Sequence, residues 1–133
     1  MAHKPHPTRA TPLTKAQFRS GFDRLWAVSG LRCAKKITFP KELTSEHCRN
    51  SRRYAQVFWV KDSVTFEFAA QTLWLPDPYV VGLIAHEIGH VLVGRISTEH
   101  TENDADAAAQ IVLGIRIDYD KKNFPGKGLQ IAL

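Results

Sequence analysis

The chain has 133 residues, a formal net charge of +5 and 44% hydrophobic residues. This length allows one hydrophobic core, so we predict a single domain over residues 13–133 and exclude a multidomain arrangement. The longest apolar run, near residues 80–88, is too short to cross a bilayer and no signal-like segment precedes it, so a soluble cytoplasmic protein without membrane contact is expected. Cys33 and Cys48 have no paired spacing, which excludes a cysteine-based zinc finger and favours a reducing setting over a disulfide.

Two different segments begin the chain. Residues 1–12 combine proline with basic side chains, a composition that predicts a flexible basic arm. Thr14 and Gln17 then match a capping box, apolar residues follow at helical spacing, and Gly30 suits the end of a helix. We therefore expect an N-terminal helix between Thr14 and Gly30 that packs on a sheet.

The next part of the chain is predicted to be mainly β. Residues 54–60 are rich in strand-forming side chains, residues 64–68 alternate apolar and polar side chains, and a turn-like Lys-Asp-Ser sequence separates them. This pattern predicts an antiparallel hairpin with one face on a core. Residues 37–39 and residues 71–75 are expected to form further extended segments. The polar stretch before the hairpin could be a loop or a short helix, and it carries a basic cluster typical of solvated surface: Arg49, Arg52 and Arg53.

An apolar stretch over residues 80–93 is predicted to be a buried helix, because apolar side chains cover most of its circumference. Asp77 is expected to be its N-cap and Pro78 its first helical residue. Gly94 can take the left-handed conformation that ends a helix. The sequence His-Glu-Ile-Gly-His at residues 86–90 lies inside this predicted helix.

The histidines of this motif, His86 and His90, are one turn apart on one face of the predicted helix, with Glu87 beside them. Two imidazoles at this spacing suit Zn²⁺, whose catalytic sites use three protein ligands and leave a position for water. Hydrogen-bonded core histidines are the alternative, but burying three ionisable groups in one turn is costly without a metal or a polar cleft. The motif therefore favours a metal site in which Glu87 is the general base.

A third ligand is expected downstream of the motif. A histidine six residues beyond His90, typical of the metzincin proteases, is excluded because that position is Ile96. Glu102 and Asp106 have the i, i+4 spacing that places both on one face of a second helix. Small and apolar side chains along this helix would allow close approach to the first: Ala105, Ala108, Ala109, Val112 and Leu113.

The sequence leaves other third ligands open. Glu102 is preferred because it combines a glutamate, a trailing aspartate and an alanine-rich helix. The acidic residues have a second interpretation, since carboxylates gather near the N-terminus of a helix capped by a threonine, here Thr98 or Thr101. The alternative ligands are His100, Glu99, Asp104 and Asp106.

This pattern resembles the gluzincin group of zinc metallopeptidases, in particular compact ImmA/IrrE-like and phage-type members. The residues that carry the resemblance are His86, Glu87, His90, Glu102, Ala105 and Asp106. It implies one Zn²⁺ held by the two histidines and Glu102, with Glu87 as general base and Asp106 orienting a ligand histidine. It also implies a small zincin-like α+β domain with an N-terminal helix, a short, mainly antiparallel sheet, an active-site helix and a second ligand-bearing helix.

The expected reaction is hydrolysis of a peptide bond, with Glu87 activating a zinc-bound water and then protonating the leaving amine. In gluzincin-like enzymes a sheet edge near the zinc binds the substrate backbone. By chain position, residues 71–75 are the predicted edge, and Trp74 could line the cleft or belong to the core. The expected partner is therefore a peptide or protein substrate. The sequence also allows a regulatory protein partner. The candidate donors to the anionic intermediate are Tyr79, Tyr119 and His100.

Two alternative functions belong to other classes. The positive charge could serve a nucleic-acid or protein-binding module with a structural zinc site. Nucleic acid is not the expected partner, because the basic residues are not interleaved with aromatic ones and structural zinc usually has four ligands. The second alternative is a zinc hydrolase that acts on a non-peptide amide, although the cysteine motif of peptide deformylases is absent around Cys33 and Cys48.

Overall fold

The structure is a computed structural model that describes residues 8–50, 53–95, 97, 99–119, 126–129 and 133. It combines α-helices with a three-stranded and a two-stranded sheet, so the predicted α+β class is confirmed. The helices are α1 (Lys15–Ser29), α2 (Glu46–Asn50), α3 (Asp77–Gly94) and α4 (Glu102–Ala108). The strands are β1 (Ala34–Thr38), β2 (Ala55–Val60), β3 (Ser63–Phe68), β4 (Ile117–Asp118) and β5 (Lys127–Gly128).

The larger sheet has the order β1-β3-β2. Strands β2 and β3 form the predicted antiparallel hairpin, in which Val60 pairs with Ser63 and Lys61 adopts a left-handed φ of 56° in the tight turn. Strand β1 pairs in parallel with the other side of β3, so this sheet is mixed and not wholly antiparallel. The small β4-β5 sheet is antiparallel. As a result, β3 is central and β2 lies at an edge.

Helix α1 packs on the sheet through aromatic side chains. Its capping box between Thr14 and Gln17 and its left-handed end at Gly30, with a φ of 75°, are both as predicted. Phe18 and Phe22 lie one turn apart and are fully buried, and their rings contact those of Phe68 and Phe66 with centroid distances of 4.7 and 4.8 Å, respectively. Such aromatic pairs add about 0.5–1.5 kcal/mol beyond area burial.

The predicted extended segment at residues 71–75 is wrong, because Ala70–Trp74 forms a 3₁₀ helix. Thr72 stabilises this turn, since both its amide and its hydroxyl donate to the carbonyl of Ala69. The N-terminal segment lies against it: the amide of Arg9 donates to Trp74, and the Arg9 guanidinium pairs with Asp77. Part of the arm predicted over residues 1–12 is therefore held from Arg9 onward, whereas residues 1–7 lie outside the described residues.

Helix α3 is the central helix of the fold, and it includes the predicted residues 80–93. Its two ends differ from the prediction: Pro76 is the N-cap, Asp77 is the first helical residue, and Gly94 is the last helical residue. Gly94 is not left-handed, because the chain continues in a helical conformation and the Arg95 amide still donates to Val91. The motif residues 86–90 therefore lie well inside a continuous helix.

Helix α4 begins at a capping box in which Thr101 and Asp104 exchange hydrogen bonds, so Thr101 is the cap of this helix. A π-helical turn, Ala109–Leu113, follows directly and ends at a left-handed Gly114. The predicted apolar stripe also included residues three positions apart. In the wider π-helical turn, residues four positions apart share the buried face instead. Ala105, Ala109 and Leu113 are buried as predicted, but Ala108 is only half-buried and Val112 is 40% exposed.

Helices α3 and α4 make a very close contact. A Cβ atom built on Gly89 would lie 2.1 Å from the carbonyl oxygen of Ala105, so only glycine fits at this position. This approach brings the first turns of α4 beside the histidines of α3. None of the helices in the described ranges is long and apolar enough to cross a membrane.

Candidate metal centre

Three side chains from α3 and α4 converge on one point. The Nε2 atom of His86 lies 2.5 Å from Oε2 of Glu102, and the Nε2 atom of His90 lies 2.9 Å from the same oxygen. The two Nε2 atoms are 3.1 Å apart. Within the part of the chain that the structure describes, these residues form one group of His, Cys, Asp or Glu side chains that could hold a metal ion.

Each of the two histidines is held in place by a second residue that contacts its Nδ1 atom. Nδ1 of His86 donates to Oδ1 of Asp106 at 2.7 Å, so both carboxylates of the predicted i, i+4 pair contact His86. Nδ1 of His90 lies 2.8 Å from Nε2 of His100. Such outer hydrogen bonds fix ring orientation and leave the Nε2 atoms of both histidines directed at the cluster.

Two nitrogens and one oxygen are a donor set that fits a zinc ion. Ligand atoms at the usual 2.0–2.1 Å from tetrahedral zinc lie about 3.3 Å apart. The three atoms of the cluster are separated by 2.5–3.1 Å, so each pair needs to spread by less than about 1 Å around an ion. The residues present therefore fit a metal ion.

Glu87 is the buried acid beside this cluster. Its side chain is 5% exposed, and no hydrogen-bond or ion-pair partner for its carboxylate occurs among the described residues. Burial raises the pKa of Glu87, and the nearby charges of His86 and His90 oppose the shift only in part. A carboxylate that is unpaired and has a raised pKa can take up and release a proton in a cleft.

Two cavities meet at the cluster, and Arg53, Glu87 and Glu102 line both of them. The first has a volume of about 340 Å³ and its other walls include Tyr54, Leu83 and Tyr119. The second has a volume of about 430 Å³ and lies between the edge strand β2, the end of α3 and His100. The cluster is therefore at the floor of an open cleft rather than enclosed in the core.

The three predicted donors to a reaction intermediate have different positions. Tyr119 lines the first cavity, and its hydroxyl donates to Oδ1 of Asp106 at 3.5 Å. Burial, followed by the charges of nearby carboxylates, raises the pKa of Tyr119, so its phenol keeps its proton. Tyr79 is 4% exposed, lies two turns before His86 and lines neither cavity. His100 lies behind His90.

The alternative third ligands are engaged elsewhere or point away from the cluster. Both ring nitrogens of His100 have partners, because Nδ1 contacts the carbonyl of Ser97 at 3.2 Å. Asp104 caps α4 through Thr101. Glu99 is exposed, and Asp106 contacts the cluster only through His86 and Tyr119. Of the acidic candidates, Glu102 places an oxygen within reach of both histidines.

Arg53 is the residue of this site that the sequence did not reveal. It was predicted to belong to a solvated basic cluster, but its Nη1 donates to Oε1 of Glu102 at 2.7 Å. The pKa of Arg53 is raised chiefly by this hydrogen bond. Because 49 residues separate the two side chains, no local pattern predicts the pairing. The contact leaves Oε2 of Glu102 free to face the histidines.

The charges of the metal-free cluster are coupled. Burial disfavours the charged form of His86, but the hydrogen bonds to Asp106 and Glu102 outweigh it and raise its pKa to about 10. Hydrogen bonds from His86 and His90, and then from Arg53, hold the pKa of Glu102 well below its usual range. In the absence of metal, His86 is therefore a cation whose two N–H groups face carboxylates. Metal binding at this site must release protons.

These shifts predict how the stability of the metal-free protein depends on pH. Because the pKa of folded His86 is raised, its contribution is fully present below its ordinary value of 6.5 and is lost as pH rises toward about 10. Because the pKa of folded Glu102 is lowered, its contribution is lost as pH falls below its ordinary value of 4.5. In a chelator, we expect the wild-type Tm to fall from pH 6.5 to 10 more steeply than that of His86→Ala, and parallel curves would contradict this.

Comparison of the chain with protein-family models, with curated proteins and with solved structures finds no match to any of them. The site must therefore be interpreted from its own residues.

Proposed function

We propose that this protein is a zinc-dependent peptidase in which His86, His90 and Glu102 hold the metal and Glu87 is the general base. The observation that carries the proposal is the convergence of three ligand atoms beside a buried, unpaired carboxylate in an open cleft. Structural zinc sites are usually closed by four protein ligands, whereas catalytic sites keep three and leave one position open. Three protein donors at the floor of a cleft support the catalytic type.

The chemistry follows from the surroundings of each group. When bound, zinc acts as a Lewis acid that lowers the pKa of a water molecule and polarises a carbonyl group. Glu87 accepts the proton of the attacking water and then gives it to the leaving amine, a transfer that its raised pKa favours. Tyr119 is the proposed hydrogen-bond donor to the developing oxyanion, because it lines the cleft and retains its proton.

The proposed substrate site is the edge of β2 that pairs with no other strand among the described residues. It takes the place of residues 71–75, which were predicted to be the substrate-binding edge. The amide of Ala69 donates to the carbonyl of Tyr54, so these two residues form a hydrogen-bonded pair. In an antiparallel hairpin, hydrogen-bonded and non-hydrogen-bonded pairs alternate, so every second residue of β2 after Tyr54 belongs to a non-hydrogen-bonded pair. The backbone groups of Ala55, Val57 and Trp59 consequently point away from β3. These residues line the cavity beside the metal ligands, which supports an extended peptide as the substrate.

Metal analysis is the first test of this proposal. We expect the purified protein to bind one zinc ion per chain and Glu102→Ala to raise the zinc dissociation constant by more than about a hundredfold, since loss of an outer partner alone costs 10–100-fold. Glu99→Ala is the matched control, because this exposed acid lies three residues before Glu102, in the segment that leads into α4, and should leave zinc binding unchanged. Wild-type protein that binds no stoichiometric zinc would refute the proposal.

Cleavage of a peptide library is the second test. We expect cleavage by the zinc-loaded protein, loss of activity in a chelator and recovery when zinc is returned. If the library remains intact while a non-peptide amide is hydrolysed, the assignment to peptide bonds is wrong. Zinc binding without hydrolysis of either class would instead favour a structural zinc site.

A further inference from the structure

His100 links the ligand histidine His90 to the main chain. Its Nε2 atom is 2.8 Å from Nδ1 of His90, and its own Nδ1 is 3.2 Å from the carbonyl oxygen of Ser97. The centroids of the two imidazole rings are 5.0 Å apart and the rings are tilted by 47°. His86 differs, because its outer partner is the carboxylate of Asp106. The two ligand histidines are therefore oriented by different chemical groups.

The direction of these hydrogen bonds follows from the acceptor at the far end. A carbonyl oxygen can only accept, so Nδ1 of His100 must carry a proton. When His100 is neutral, its Nε2 is then an acceptor, and Nδ1 of His90 must donate to it. In a neutral, metal-bound His90 the single proton is thereby placed on Nδ1, and the lone pair of Nε2 is left for the ion. Without metal, the same Nε2 instead contacts the carboxylate of Glu102.

We propose that His100 is a positioning residue that selects the metal-binding tautomer of His90 through this chain of hydrogen bonds. This inference rests on the proposed function, because it assigns His90 as a metal ligand. The opposite neutral tautomer of His100 would give up the Ser97 carbonyl and would donate to His90. The proton of His90 would then lie on Nε2, where it would block ligation.

The turn after α3 is built to hold His100 in this place. The amide of Ser97 donates to the carbonyl of Val93 at 2.9 Å, and the Ser97 hydroxyl donates to the carbonyl of Glu99 at 3.0 Å. These bonds fix the carbonyl that receives the proton of His100. The ring of His100 lies beside Gly94, where a Cβ atom would be at an ordinary contact distance of 3.9 Å from Cε1 of His100.

Two substitutions separate the hydrogen bond from the volume of the ring. His100→Phe keeps a ring but has no acceptor, and we expect it to raise the zinc dissociation constant by about 10–100-fold. His100→Gln places an amide oxygen near the former Nε2 position and is expected to remain within about threefold of wild type, a rescue that a purely steric role would not give. Glu99→Ala is the exposed control and should not change zinc affinity.

The readouts are zinc competition with a chromophoric chelator and long-range ¹H–¹⁵N NMR of the imidazole rings. In the metal-free and the zinc-loaded protein, we expect Nδ1 of His100 to carry a proton. An unprotonated Nδ1 on neutral His100, or wild-type zinc affinity in a folded His100→Phe variant, would overturn the inference. Failure of the proposed function is distinguishable: zinc affinity that depends on His100 without peptide cleavage refutes the peptidase alone, and the NMR spectrum of metal-free protein tests His100 even if zinc does not bind.

Discussion

Glu87→Gln is expected to abolish hydrolysis while zinc remains bound. The amide keeps the shape of the side chain but cannot accept the proton of the attacking water, so the rate should fall by about 10²–10⁴-fold, the usual contribution of a general base. Zinc stoichiometry should be unchanged, because Glu87 is not among the three converging groups. The same variant should be more stable than wild type without metal, because it replaces an acid whose ionised form is disfavoured by burial.

Glu67→Gln is the matched control for this experiment, because Glu67 is also 5% exposed. Glu67 lies on β3, away from the cluster. Its carboxylate accepts hydrogen bonds from Thr44 and from the side-chain amide of Gln56. We therefore expect Glu67→Gln to lose about 1 kcal/mol of stability and to retain activity. Activity and zinc content measured together with thermal unfolding distinguish the two variants. Full activity of Glu87→Gln would show that another group is the base.

Gly89→Ala is expected to disrupt both the fold and the metal site. The added Cβ atom would lie 2.1 Å from the carbonyl oxygen and 2.9 Å from the carbonyl carbon of Ala105, so the backbones of α3 and α4 would have to separate. Overpacking of this kind usually costs about 1–3 kcal/mol. Glu102 and Asp106 flank Ala105 on α4, and both would move away from His86. We expect a lower Tm and a zinc dissociation constant raised by at least about tenfold.

Gly94→Ala is the control on the same helix. The nearest atom to a Cβ at this position is Cε1 of His100 at 3.9 Å, which is ordinary contact. Because alanine favours a helix over glycine by up to about 1 kcal/mol, we expect unchanged or slightly greater stability and unchanged zinc binding. Calorimetry and chelator competition on both variants measure the difference. Gly89→Ala with wild-type Tm and zinc affinity would contradict the close contact between the helices.

Helical spacing correctly predicted that Glu102 and Asp106 lie on one face of a helix. Their i, i+4 spacing predicts that both side chains share a helix face, and both contact His86. The same reasoning failed a few residues later, where a π-helical turn exposes Val112. Periodicity holds only as long as the helix keeps one pitch. The prediction of an extended segment at residues 71–75 was wrong for a similar reason, because the hydrogen bonds of Thr72 favour a 3₁₀ turn over an extended chain.

The sequence by itself determined the features that depend on residues within about one helical turn. These are the capping box of α1, the β2-β3 hairpin, and the placement of two histidines and a glutamate on neighbouring faces of a buried helix. The tertiary structure decided which side chains from other elements contact the residues of the candidate metal site. Arg53 reaches Glu102, β2 lies at the edge of the three-stranded sheet formed by the described strands, beside the cleft, and His100 contacts His90. Such contacts require the packing of separate elements, whereas caps and periodicity arise from neighbours along the chain.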